Sequence, residues 1–197
     1  MNSAQSGLLF IISSALWLLL CSAAPLPEFS GDPGFQQFIR KNQEFVTKIR
    51  NEVSEMKELV RDEFKLGSDA ELLLVQGLLG IEQVDHSHCW KQTCDMEGCF
   101  NQIRAGLHTY YGYLSHISHI LPNQANRVAS LQLDSSNLST NIQQQMQESG
   151  LSAVTYPQPE SQPTFVQTQR EIGSYLVLRN FLKFMDITYR ALRHCSA

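Results

Sequence analysis

The sequence predicts an all-α protein, a four-helix bundle in up-up-down-down order with two long crossover loops and a short helix in the first. Three observations lead there. Apolar residues recur from Met96 to Leu121 as a continuous heptad seam. A stretch without glycine or proline, Phe35 to Leu66, carries a second apolar stripe. The connections between the predicted helices run long, short, long. A tight connection makes its two helices antiparallel neighbours, whereas a chain of thirty residues can return along a whole helix.

The seam comprises Met96, Phe100, Ile103, Leu107, Tyr110, Leu114, Ile117 and Leu121, in alternating steps of four and three. That spacing is the mark of an amphipathic helix facing a bundle core. Gly98, Gly106 and Gly112 interrupt it, each costing about 1 kcal/mol relative to alanine. The helix must therefore draw its stability from its neighbours, and a glycine face would let another helix approach closely.

At the start of the chain, Leu8 to Cys21 is an apolar run closed by Ser22, Ala23 and Ala24. It is short for a membrane span and right for a secretory signal peptide. Cleavage after Ala23 makes residues 1–23 a leader and residues 24–197 a single bundle domain. The expected product is secreted, extracellular and not inserted in membranes, in a compartment where cysteines can pair. A net charge of -4 supplies no basic field for nucleic acid.

Residues 24–33 read as a loose arm. Asp32 followed by Pro33 is a helix start signal. Phe38, Phe45, Ile49, Val53, Met56, Val60 and Phe64 form the expected core stripe of the first long helix, and Gly67 its expected C-cap. Lys41, Glu44, Lys48, Glu52 and Glu55 lie on another face. Ser68 with Glu71 makes a capping box for a short helix to Leu79. After the seam helix, Pro122 and Asn123 form the tight link, with Asn123 as the expected cap. The third long helix runs to about residue 147, with Val128, Leu131, Leu138, Ile142 and Gln145/Met146 inward and Gly150 closing it. Pro157, Pro159 and Pro163 make the next segment irregular, and Thr164 with Gln167 is a second capping box. Ile172, Tyr175, Leu176, Leu182, Met185, Tyr189 and Leu192 are the core face of the last helix, widened by Phe181 and Phe184.

Motifs that carry chemistry are sparse. His116 and His119 share a helix face without a carboxylate and read as an exposed pair. His86, His88, Cys89, Cys94 and Cys99 cluster, but not at C-x2-C spacing, and an oxidising compartment favours a disulfide over zinc. A bundle that carries a cofactor would need inward carboxylates and a Glu-x-x-His pair. Neither these nor G-x-S-x-G nor a glycine-rich phosphate loop is present, so the expectation is no enzyme, no metal and no cofactor.

Five segments, AELLLVQGLLGI (70–81), GCFNQIRAGL (98–107), LQLD (131–134), QQMQESG (144–150) and YRALRH (189–194), resemble the granulocyte colony-stimulating factor family, in its order and intervals. The resemblance implies a class I long-chain helical cytokine, monomeric when free. It would bring together two copies of a single-pass class I cytokine receptor and promote growth and differentiation of granulocyte-lineage cells. It also implies a main receptor face on the first and third long helices: Lys41, Glu44 and Lys48 with Leu133, Asp134, Asn137 and Gln144. A second receptor contact would fall at Glu71 and Leu74. The family's first disulfide is missing, its positions held by Arg61 and Gly67. Its second is retained as Cys89 and Cys99. Cys94 and Cys195 lie outside the family pattern and either pair with each other or stay free and link dimers; an exposed thiol being a liability, pairing is favoured. Asn137-Leu138-Ser139 is an N-glycosylation sequon on the receptor face, where a glycan would obstruct binding. Two alternatives stand beside this reading: another long-chain cytokine with a different receptor, and an amphipathic lipid-carrier bundle.

Overall fold

The computed structural model describes residues 31–81, 83–156, 165–166 and 169–196. The expected leader, most of the arm and the Thr164–Gln167 capping box lie outside those residues. Four long helices form the bundle: α1 (Pro33–Glu63), α3 (Met96–Ile120), α4 (Ala125–Glu148) and α5 (Arg170–His194). The short α2 (Asp69–Gln76) sits in the first crossover.

Asp32 starts α1 by accepting the Gly34 N–H at 2.7 Å, with Pro33 at the first helical position. The α1 core face is Phe35, Ile39, Val46, Ile49, Val53, Met56 and Val60. In its first half this is one step round from the expected stripe, and Phe38 and Phe45 pack half-buried at the flank. The Phe38 ring fills the space between Phe35 and Phe100, 6.0 Å from each. The end of α1 also differs from expectation. Phe64 is the C-cap, Lys65 takes the left-handed conformation at φ 51°, and Leu66 N–H reaches the Arg61 carbonyl at 3.1 Å. That bond pattern closes the helix two residues before Gly67. Gly67 instead provides room: a Cβ there would meet the Glu71 carboxylate, which accepts the Ser68 N–H at 3.0 Å.

Every seam residue of α3 from Phe100 to Leu121 is buried. Its glycines, however, do not form one groove for a neighbouring helix. Gly98 faces the His88 ring and its own cap Asp95, and Gly106 faces Phe184 of α5 and Val84 of the crossover. Tyr110, one turn on, stacks on Phe181 at 4.6 Å. The tight link is a 3-10 turn, Pro122–Gln124, so Gln124 rather than Asn123 stands at the start of α4. The α4 core holds Val128, Leu131, Leu138, Ile142 and Met146, together with Asp134 and Ser135. Gly150 closes α4 at φ 69°, with Leu151 N–H on the Met146 carbonyl at 2.8 Å.

Side-chain ties give the helix directions. Gln36 reaches the Ser196 carbonyl, Arg50 pairs with Asp186, and Arg61 meets Tyr175, so α1 and α5 are antiparallel. Asn42 meets Asn141, Lys48 meets Asp134, and Glu55 meets Arg127, so α1 and α4 are antiparallel as well. The tight turn reverses α4 against α3. The result is up-up-down-down, with α1 and α3 diagonal across the core, each between α4 and α5.

Two disulfides hold the first crossover. Cys89–Cys99 fixes it to the first turn of α3, and Cys94–Cys195 joins it to the end of α5. Where the family pattern would place its first bridge, a polar knot stands instead. Arg61 bonds Asp69 and the Tyr175 hydroxyl, and Tyr175 donates to Asp69 at 2.5 Å. His116 corrects the expectation of an exposed pair. It is half-buried edge-on to Phe165, 5.2 Å away, and burial lowers its pKa; only His119 is exposed. Phe165 comes from 49 residues later, beyond the reach of local periodicity.

Candidate functional site

The candidate face is the outer side of α1 and α4. Both helices must bury one stripe, so residues about half a turn away are presented outward together. On α1 these are Lys41, Glu44 and Lys48; on α4 they are Leu133, Asn137 and Gln144, and all six are exposed. Leu133 is 61% exposed, a large apolar side chain left beside charged ones. Among the described residues Lys41 and Glu44 make no hydrogen bond or ion pair. Their charges are available to a partner.

Between the two rows runs a polar seam. Asn141 Nδ2 donates to Asn42 Oδ1 at 3.3 Å, Lys48 Nζ to Asp134 Oδ2 at 2.7 Å, and Arg127 to Glu55 at 2.8 Å. Asp134 therefore differs from its expected exposure: it is 7% exposed, turned into the α1–α4 interface by Lys48. The hydrogen bond from the ammonium to Asp134, and then the attraction between their charges, raise the Lys48 pKa against the opposing effect of desolvation. Lys48 also lies 3.7 Å from Glu52, so its charge is shared within the protein. Helical periodicity alone missed this seam. Its signal was present in the complementary pairs that step up one helix as they step down the other.

The second expected contact lies elsewhere. Leu74 is 82% exposed, with Leu78 and Leu73 exposed beside it, while Glu71 holds the capping box of α2. Since α2 packs on α5, diagonal to α4, the two candidate contacts do not share a surface. Asn137 stands exposed on the main face, within α4.

The cysteine cluster has no ligand to offer a metal. The sulfurs of Cys94, Cys99 and Cys195 lie within 4.8 Å of one another, but each is committed to a disulfide. The His88 ring is engaged with Asp95 at 2.6 Å, and Lys91 holds the same carboxylate at 2.7 Å. Among the described residues no helix is long and apolar enough to cross a membrane. The apolar faces meet in one core, unlike a lipid carrier, which would present wide apolar surface.

A family model described as granulocyte colony-stimulating factor matches residues 46–193. The chain is 44% identical over 191 residues to myelomonocytic growth factor of Gallus gallus, covering 95% of this chain and 94% of that protein. It is 36% identical to granulocyte colony-stimulating factor of Felis catus, covering 94% and 95%. Against the Homo sapiens protein of that name it is 34% identical, covering 95% and 91%.

Proposed function

The chain belongs to the granulocyte colony-stimulating factor family, and from that premise we propose the receptor, the contact residues and the route of export. The protein is a haematopoietic cytokine, a growth factor and not an enzyme. It acts outside the cell after loss of residues 1–23. Its target is a single-pass class I cytokine receptor like that of granulocyte colony-stimulating factor. Binding would bring two receptor copies together and start signalling in granulocyte-lineage cells.

The α1–α4 face carries the reading. Glu44 is exposed and unpaired among the described residues, one turn from each of Lys41 and Lys48 on α1; on α4 of the same face the exposed Leu133 precedes Asp134, the partner of Lys48. A free carboxylate and an exposed leucine on one face suit a partner that brings a cationic side chain and an apolar patch, where desolvation concentrates binding energy. Lys48, held by Asp134, supports the face as a positioned charge and not a mobile one. Asn137 and Gln144 form its polar margin. Leu74, with Glu71 close by, is proposed as the second contact, to another part of the receptor.

A soluble receptor ectodomain of this family tests the reading when paired with growth of neutrophil precursors. Capture by the ectodomain together with growth is the expected result. Growth without capture would mean a different receptor, and neither would refute the reading.

A further inference from the structure

Arg104, on α3, is 4% exposed, and among the described residues every group that meets its charge is neutral. Its guanidinium donates to the Val154 carbonyl at 2.8 Å, to Gln143 Oε1 at 2.8 Å and to Asn101 Oδ1 at 3.5 Å. Its central carbon lies 5.5 Å from the Tyr156 ring centre. Nε is buried and has no acceptor among the described residues. Nor does any described carboxylate pair with it: Glu97, two turns back on the same helix, accepts the Ser152 N–H instead. A buried charge normally has a counter-charge, because desolvation costs several kcal/mol that neutral acceptors only partly recover. Burial lowers the pKa of this arginine, in keeping with a charge incompletely compensated.

Arg104 also lines a groove of about 220 Å³ between α3, α4 and the segment that follows Gly150. The hydroxyls of Ser136, Ser139 and Thr155 and the ring of His108 line the same groove. Ser136, Ser139 and Gln143 occupy the α3 side of α4, whereas Asp134 occupies its α1 side. The groove is thus separate from the proposed receptor face.

We propose that this groove binds a small oxyanion, a phosphate or sulfate group, that supplies the missing counter-charge to Arg104. Its oxygens accept from the surrounding hydroxyls and from His108, and the buried Arg104 charge favours an anion there over a cation. Because the unfolded chain has no such groove, binding stabilises the folded cytokine by mass action. The group is either a free inorganic ion or a sulfate ester carried on an extracellular saccharide.

The test is calorimetric titration and thermal unfolding of the mature protein with inorganic phosphate, with sodium chloride at equal ionic strength, and with a sulfated disaccharide. Wild type is expected to bind phosphate at one saturable site and to unfold at a higher temperature, with chloride inactive. A hundredfold excess over Kd raises the folding constant about a hundredfold. Arg104→Met abolishes the response, and Ser139→Ala, which leaves the buried contacts of Arg104 intact, weakens affinity threefold or more. The second variant decides the matter if the first does not fold. Tenfold tighter binding of the disaccharide assigns the group to a saccharide, and equal or weaker binding assigns it to the free ion; both support the proposal. Equal responses of wild type and both variants would mean an adventitious ion only and overturn it. So would a wild type that ignores phosphate altogether.

Discussion

Replacing Tyr175 by phenylalanine tests whether the knot at the end of α1 does the work of the absent disulfide. The ring is fully buried, and Phe would keep its packing, including the Arg61 guanidinium 4.8 Å above it. Only the hydroxyl is lost. That hydroxyl donates to Asp69 Oδ1 at 2.5 Å, while Arg179 Nε stands 3.6 Å from the other carboxylate oxygen. A hydrogen bond to a charged group contributes about 1.5–3 kcal/mol. The Asp69 side chain is 46% exposed, so water replaces part of the loss and about 1–2 kcal/mol remains. For a domain of this size that lowers Tm by about 2–8 °C. The hydrogen bond from Tyr175 is the largest cause lowering the Asp69 pKa, so its contribution is present above about pH 4 and lost as pH falls through the lowered value. The Tyr175 pKa is pushed up to about 12, so the phenol's own contribution holds below about pH 10 and fades as pH rises toward 12. Thermal unfolding of both proteins from pH 7 down to pH 2 measures this. A Tm unchanged at pH 7, or a deficit as large at pH 2 as at pH 7, would refute the reasoning.

Three further outcomes follow from the same structure. Removing Cys94–Cys195, which spans 101 residues, should destabilise by about 4–5 kcal/mol on the chain-entropy model, against about 3 kcal/mol for the ten-residue Cys89–Cys99 span. Labelling of the unfolded, unreduced mature protein should find no free thiol, and two labelled cysteines per chain would contradict the pairing. Burial of His86 against Phe184 lowers its pKa, partly offset by its hydrogen bond to the Val84 backbone and by the Asp85 charge, so its contribution to stability is present above about pH 6.5 and lost as pH falls. The urea midpoint should therefore drop between pH 7 and pH 5, and a His86→Leu variant with an undiminished drop would show that the slope arises elsewhere. Active protein from animal cells should be largely unmodified at Asn137. Intact mass before and after glycosidase measures occupancy, and a glycosylated form that signals as well as Asn137→Gln would move the receptor face away from Leu133 and Asn137.

The parts of the fold legible in the sequence are those decided by repeated apolar spacing and by connection length. The α3 seam is legible because eight residues keep one register, and the topology because only one link is tight. The rest depended on partners distant in sequence. Phe38 and Phe45 look like core because they are aromatic, but Ile39 and Val46 point more directly at the centre of the bundle. Asp134 looks like surface because it is charged, and it is drawn inward by Lys48, 86 residues earlier. Gly67 looks like a cap, yet Lys65 takes the left-handed position and leaves the glycine to make room for Glu71. Of the candidate face, the exposed residues were legible from periodicity and resemblance together; the seam beneath them needed the facing helix. Arg104 was hidden for the same reason, since nothing near it in sequence indicates burial under Val154 and Tyr156.

Titration of the soluble receptor ectodomain with wild type and Glu44→Ala tests the central claim most directly, with Tm measured on both. Glu44 has no partner among the described residues and is exposed, so its loss should leave Tm unchanged. In the complex it would be desolvated against a cation, and truncating such a group costs about 2 kcal/mol or more, some thirtyfold in affinity. Lys41→Ala, a charge at the margin, should cost less. A thirtyfold loss at constant Tm is the predicted result, and equal binding by wild type and Glu44→Ala would contradict the assignment of the α1–α4 face.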